Sequence, residues 1–168
     1  MKAENRTSEP HITHRESQYT IGIRTVTPFK GMFAEVTKLL KELRLWVNQH
    51  VLAEEGPFFL RYYVIDMKGP MDIEVGFITK QPQSGDDRVK PGMFPAGRYA
   101  NLVYTGNGLR GNRALLDWAK QNQIPLDRRN EQTGDAFACR YEAYLTDYRK
   151  ESRKKLWEIN LAVKVKEG

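Results

Sequence analysis

The sequence predicts an α+β fold built from two fused strand-helix-strand-strand units with antiparallel strands, and three observations carry that prediction. An amphipathic pattern from about Phe29 to Val51 sets apolar side chains three and four residues apart. The order strand, helix, strand, strand then occurs twice along the chain. Short stretches of the two halves also coincide. Phe58-Phe59-Leu60-Arg61-Tyr62 lies over Phe137-Ala138-Cys139-Arg140-Tyr141, sharing Phe, Arg and Tyr, and Asp72-Ile73-Glu74-Val75-Gly76-Phe77 lies over Leu156-Trp157-Glu158-Ile159-Asn160-Leu161, matching Glu74 with Glu158.

Length and composition set the bounds. At 168 residues, 40% hydrophobic and 29% charged, the chain fits one globular domain over residues 10–168. A net charge of +6 raises the question of nucleic acid, but there is neither a basic stripe with interleaved aromatics nor a recognition helix, so direct nucleic-acid binding is not expected. The one cysteine, Cys139, sits in an apolar strand pattern and is read as core. Met1 to Pro10 holds no apolar signal region, and no run approaches the roughly 18 apolar residues of a membrane span. A soluble cytoplasmic protein is the expectation.

In chain order, residues 1–9 have little to bury and read as a flexible tail. The first repeat, about 10–80, opens with a strand within His11 to Thr27, ended by Pro28. The amphipathic helix follows. Gly56-Pro57 then punctuates, and strands Phe58 to Met67 and Met71 to Lys80 flank the turn signal Lys68-Gly69-Pro70. Residues 81–95, rich in Pro and Gly, read as a linker. The second repeat, about 96–167, gives a strand from Arg98 to Thr105 and a helix from Gly108 to Asn122. After a loop from Gln123 to Gly134 come strands over Ala136 to Leu145 and Leu156 to Lys166. The dense basic run Arg149 to Lys155 lies between those last two strands. It reads as a solvated hairpin tip, or as a contact for an acidic protein partner through Arg153, Lys154 and Lys155.

The sequence resembles the GyrI-like small-molecule-binding domains, which also form effector-binding parts of MerR-type and AraC-type regulators. The resemblance rests on Gly69-Pro70-Met71-Asp72-Ile73-Glu74-Val75-Gly76-Phe77, Phe94-Pro95-Ala96-Gly97-Arg98-Tyr99-Ala100, Tyr141-Glu142-Ala143-Tyr144-Leu145 and Trp157-Glu158-Ile159. It implies two units related by a pseudo-twofold axis, a groove between them for flat, often cationic, hydrophobic compounds, and an acid from the last strand at its base, the position of Glu158. With no DNA-binding helices flanking the domain, the stand-alone form is expected. Some stand-alone relatives are gyrase inhibitors, and others are hydrolases that open cyclopropane rings of DNA-alkylating natural products.

Strand parity gives the groove a chemistry of its own. With Trp157, Ile159, Leu161 and Val163 on the helix-packed face, Glu158 falls on the other face, and Glu74 does likewise opposite Ile73, Val75 and Phe77. The same rule puts Phe59, Arg61, Tyr63, Arg140, Glu142 and Tyr144 on the groove face. Such a face suits a planar cation, since ring faces contribute about 0.5–2 kcal/mol each to a desolvated cation and a carboxylate neutralises it. It equally suits an acid catalyst with Glu158 and Glu74.

The expected ligand residues are therefore Glu158, Glu74, Phe59, Tyr63, Tyr144 and Trp118. Beside these stand plain structural readings: an ion pair to Arg61 or Arg140 for either glutamate, packing for the aromatics, and helix core for Trp118. His11 and His14 point to opposite faces, so no metal site is expected, nor any cofactor. The function expected is binding of an amphipathic aromatic or cationic small molecule. The alternatives are a cyclopropane-opening hydrolase and a protein-binding inhibitor of DNA gyrase type.

Overall fold

The computed structural model describes residues 5–167. The strands are β1 (His11–Arg15), β2 (Gln18–Pro28), β3 (Phe58–Ile65), β4 (Pro70–Thr79), β5 (Lys90–Phe94), β6 (Gly97–Tyr104), β7 (Arg128–Glu131), β8 (Gly134–Phe137), β9 (Arg140–Tyr144) and β10 (Ile159–Lys164). The helices are α1 (Met32–Gln49) and α2 (Gly108–Gln121). All strand pairings are antiparallel, in the order β1-β6-β10-β9-β3-β4-β2-β5, with β8 joined to β3 and β7 to β8. From the central β3–β9 seam, corresponding strands run outward in the same order on either side: β3-β4-β2 and β9-β10-β6.

The sheet is curled. Only Glu16 and Ser17 join β1 at one end to β2 near the other, and only Pro95 and Ala96 join β5 to β6. A two-residue link spans at most about 11 Å, so the two ends of the sheet must approach each other. The curl divides the interior into two cores. The larger lies between the helices and the sheet and holds Val36, Leu40, Leu43, Leu60, Tyr62, Val75, Leu161 and Val163. The smaller lines the concave face and holds Phe59, Phe94, Tyr99, Cys139, Tyr141, Ala143 and Ala162. The expected groove opposite the helices is thus largely filled by aromatic packing.

The helix α1 buries Met32, Val36, Leu39, Leu40, Leu43, Trp46 and Val47, following the expected spacing. It ends before Val51, whose φ of 58° is left-handed and whose side chain is exposed. In α2, the Asn107 side chain caps the first turn by accepting from the Arg110 backbone N–H at 3.1 Å.

Several boundaries differ from the expectation, each for a visible reason. The first strand is two strands, because residues 16–17 cross from one end of the sheet to the other. The linker 81–95 supplies β5, which pairs with β2, and the 123–134 loop supplies β7. Of the expected tail, residues 1–4 lie outside the described residues, while 5–8 run along β6: Ser8 N–H donates to the Val103 carbonyl at 2.8 Å and the Thr105 N–H to Arg6 at 2.8 Å. The strand expected over Ala136 to Leu145 breaks at Ala138 and Cys139. Phe137 packs with the helix-side core and Cys139 with the concave core, so the break reverses the pleat. Arg140, Glu142 and Tyr144 consequently belong to the helix side, not to the concave face.

Candidate functional site

Glu142 is the most unusual residue of the helix-side core. It lies at the centre of β9, opposite Leu161 of β10 on one side and Leu60 of β3 on the other, and is 6% exposed. A carboxylate between two leucines in mid-sheet must find polar partners or be held neutral. Its partners are the Tyr62 hydroxyl at 3.5 Å, the Asn112 side-chain amide at 3.3 Å, and the Tyr104 hydroxyl. Burial pushes its pKa up, against the opposing pull of Asn112, Arg140 and Lys154. Asn112 is itself fixed, accepting a short hydrogen bond from the Arg140 guanidinium. The Arg140 head group lies over the Phe137 ring, 4.8 Å from its centroid.

Aromatic side chains surround this carboxylate. The phenols of Tyr62, Tyr104 and Tyr144 are all held well above their ordinary pKa by burial, with Glu142 adding to the rise. Tyr144 packs on Trp157, with ring centroids 5.5 Å apart, and its buried hydroxyl has no hydrogen-bond partner among the described residues. Tyr144 also lines a cavity of ≈ 380 Å³ between α1, residues 53–58 and the β9–β10 connection. Leu40, Arg44, Phe58, Tyr148 and Trp157 form much of its remaining wall, and the Arg44 guanidinium covers the Tyr148 ring at 3.8 Å. That volume falls in the range of small-molecule sites, about 300–1,000 Å³, and the lining mixes apolar side chains with the charged Arg44, Glu54, Glu55, Asp147 and Arg149.

A second buried carboxylate, Glu74, lies on the opposite side of the sheet. It is 5% exposed, accepts from the Tyr63 hydroxyl at 3.2 Å, and has its pKa raised by burial, opposed first by Arg61 and further by Tyr63 and Arg24. Arg61 is locked in place by bonds to the carbonyls of Met93 at 3.1 Å and Ala138 at 3.0 Å. Arg24 stacks on the Tyr63 ring at 3.6 Å and pairs with Asp72 at 2.8 Å. Gly22 makes the space: a Cβ there would stand 2.5 Å from the Glu74 Oε2. Near this face a second cavity of ≈ 420 Å³ is bordered by Arg15, Ile78, Tyr141 and Asn160, and Arg15 is committed to the Tyr141 hydroxyl at 2.6 Å and Asn160 at 3.0 Å.

The residues expected at one groove are divided between these places. Glu74, Tyr63 and Phe59 share the concave side, where Phe59 is fully buried against Phe94 at 4.7 Å. Tyr144 is on the helix side. Trp118 is half-buried against the large core on α2, in keeping with its structural reading. Glu158 corrects the expectation most plainly: β10 begins at Ile159, Glu158 precedes it, and its side chain is exposed with no hydrogen-bond or ion-pair partner among the described residues. Its backbone is held instead, with its N–H donating to Thr146 Oγ1 at 2.9 Å and its carbonyl accepting from Leu145 at 2.9 Å.

Neither expected ion pair from Glu158, to Arg61 or to Arg140, is present. The sequence signal for Glu142 was its place between Tyr141 and Tyr144. Tyr62, Tyr104, Asn112 and Lys154 carried no such signal, because three other elements and the β9–β10 loop deliver them.

The basic run is mostly exposed, with Lys154 the exception among its cations. Arg149 pairs with Asp147 at 3.0 Å and Arg153 with Glu151 at 2.9 Å, while Lys154 turns inward. Among the described residues, no three His, Cys, Asp or Glu side chains come together to hold a metal, and no helix is long and apolar enough to cross a membrane.

Comparison with known proteins gives one family and several structures. The family described as "GyrI-like small molecule binding domain" matches residues 8–166. No protein of curated function matches the sequence. Among solved structures, the C-terminal domain of EcmrR superposes with a TM-score of 0.63 at 13% identity, covering 95% of this chain and 98% of that one. SAV2435 bound to tetraphenylphosphonium gives 0.59 at 9% identity, covering 95% and 94%. A hydrolase from Listeria innocua gives 0.59 at 11% identity, covering 94% and 92%. At such identities these structures are alike in fold.

Proposed function

Taking as premise that this chain belongs to the GyrI-like small-molecule-binding domain family, we propose that it binds an amphipathic aromatic molecule, preferentially a cation, in the helix-side cavity with Glu142 as counter-charge. The observation that carries this reading is a buried carboxylate in contact with tyrosine hydroxyls, behind the Tyr144 wall of a cavity of ≈ 380 Å³. Ring faces attract a desolvated cation, and a carboxylate with a raised pKa gains most when a positive charge arrives beside it. That tetraphenylphosphonium binds a protein of the same fold supports a bulky aromatic cation as the first probe.

The test is a calorimetric comparison of tetraphenylphosphonium with its neutral relative triphenylphosphine oxide. The cation binds more tightly, and its affinity weakens as pH falls and Glu142 takes up its proton; the neutral compound shows no such pH dependence. A Leu40→Trp variant, which fills the cavity from α1, weakens both. Equal affinities for the two compounds at all pH values remove Glu142 from the account, and unchanged binding to Leu40→Trp removes the cavity.

One observation favours a second reading. A carboxyl whose pKa is raised by burial, set beside tyrosines, is equipped as a general acid. It would protonate the leaving carbon or its conjugated oxygen as water opens a strained cyclopropane. Incubation with a cyclopropane-bearing alkylator decides this: ring-opened product no faster than in buffer dismisses the hydrolase reading.

A further inference from the structure

A lysine stands against Tyr144, one wall of the proposed site. The β9–β10 connection, residues 145–158, folds back over the helix-side face and carries the short 3-10 turn Lys154–Leu156. From that turn the Lys154 ammonium reaches 5.0 Å from the Tyr144 ring centroid and 6.0 Å from the ring of Phe33 on α1. Glu142 is the group that favours its charge, whereas burial and Arg44 disfavour it.

We propose that this connection is a strap that fills the ligand site with its own cation, Lys154, and that a cationic ligand enters by displacing it. The inference rests on the reading of the helix-side cavity as a cation site. Glu142 faces two cations of unlike mobility. Arg140 belongs to the sheet and is held by Asn112 and the Phe137 ring. The Lys154 ammonium has no hydrogen bond or ion pair among the described residues and is placed by aromatic rings and the field of Glu142. With Arg140 and Lys154 both acting on it, the one carboxylate is already matched in charge. A further positive charge is welcome only if one of the two leaves, and Lys154 is the one carried on a loop.

The strap is built to move as a unit. Its neck is closed where Glu158 bonds Leu145 and Thr146. Within it, Trp157 Nε1 donates to the Glu151 carbonyl at 2.6 Å, and Arg149 pairs with Asp147 and Arg153 with Glu151, while Lys150, Lys155 and Glu158 are exposed. Lys154 is thus the strap's inward charge, and Trp157 and Tyr148 carry the cavity wall with it.

Two readouts on the intact protein test this. In the ligand-free protein, brief acetylation read by mass spectrometry modifies Lys154 several-fold more slowly than its exposed neighbour Lys155, and saturating tetraphenylphosphonium speeds modification of Lys154 without changing Lys155. In calorimetry, Lys154→Met, which keeps the apolar stem, binds tetraphenylphosphonium about tenfold more tightly, equivalent to about 1.4 kcal/mol, with little change for triphenylphosphine oxide. If the phosphonium binds and Lys154 is either protected by it or as reactive as Lys155 beforehand, the strap is wrong and the cation site stands. If it binds neither wild type nor Lys154→Met, the cation site falls and the strap with it.

Discussion

Glu74 and Glu142 are chemically the same group, about equally buried, on opposite faces of one sheet, yet their surroundings assign them different work. Glu74 is neutralised by arginines that strands hold rigidly: Arg61 is tied to two carbonyls and Arg24 to Asp72. Glu142 rests on neutral donors, Tyr62, Tyr104 and Asn112, with one fixed cation, Arg140, a second on a loop, Lys154, and an unpartnered tyrosine hydroxyl in the adjoining wall. A buried carboxylate with fixed counter-charges is a strut. One with a neutralising charge carried on a loop can exchange that charge for a ligand.

The largest effect that can separate them is on stability. Arg61→Met leaves Glu74 buried beside an uncompensated space and strips donors from the Met93 and Ala138 carbonyls, so urea unfolding should show a loss of about 3–5 kcal/mol. Glu142→Gln keeps a hydrogen-bonding side chain among the same neutral partners but leaves Arg140 without its carboxylate, so its loss of stability at pH 7 is smaller than that of Arg61→Met. A large loss in the second variant would make Glu142 a strut as well. Tyr63→Phe sharpens the contrast more gently, costing about 1 kcal/mol for one hydrogen bond to Glu74.

The pH dependence of stability gives a smaller signal of defined sign. Both carboxyls have folded pKa values raised above the ordinary 4.5. Each therefore binds its proton more readily in the folded state, contributing stability that is fully present below 4.5 and lost as pH climbs through the folded value. The carboxyls held low by exposed partners, Glu42, Asp86, Asp147 and Glu151, titrate beneath this window. Above pH 4.5, wild type loses stability with rising pH relative to Glu142→Gln, measured by chemical denaturation across the range. The smallest effect is expected at the strap's outer surface, where neutralising Arg153 and Lys155 leaves ligand binding unchanged.

Much of this fold was legible in the sequence because its elements follow simple periods. The α1 stripe from Met32 to Val47 and the alternation of Ile73, Val75 and Phe77 each buried the face their spacing indicates. The family resemblance also led correctly to the GyrI-like domain. What could not be read was where a period breaks. The interruption at Ala138 and Cys139 moved Arg140, Glu142 and Tyr144 to the helix side, and no local composition marks it, since Arg61 holds the break from another strand through the Ala138 carbonyl. Glu158 failed for a related reason: the alternation from Trp157 to Val165 runs on past the strand's true start, because Trp157 is buried in the helix-side core against Tyr144 rather than by strand pairing. The curl was hidden too, for it depends on two-residue links at 16–17 and 95–96 joining strands at opposite ends of the sheet.

The central claim, that Glu142 rather than Glu74 supplies the ligand's counter-charge, is tested most directly by titrating tetraphenylphosphonium into wild type, Glu142→Gln and Glu74→Gln in parallel. The account predicts that Glu142→Gln loses at least about tenfold in affinity, some 1.4 kcal/mol, while Glu74→Gln stays near wild type. Loss of affinity in Glu74→Gln with Glu142→Gln unaffected would place the binding site on the concave face and contradict it.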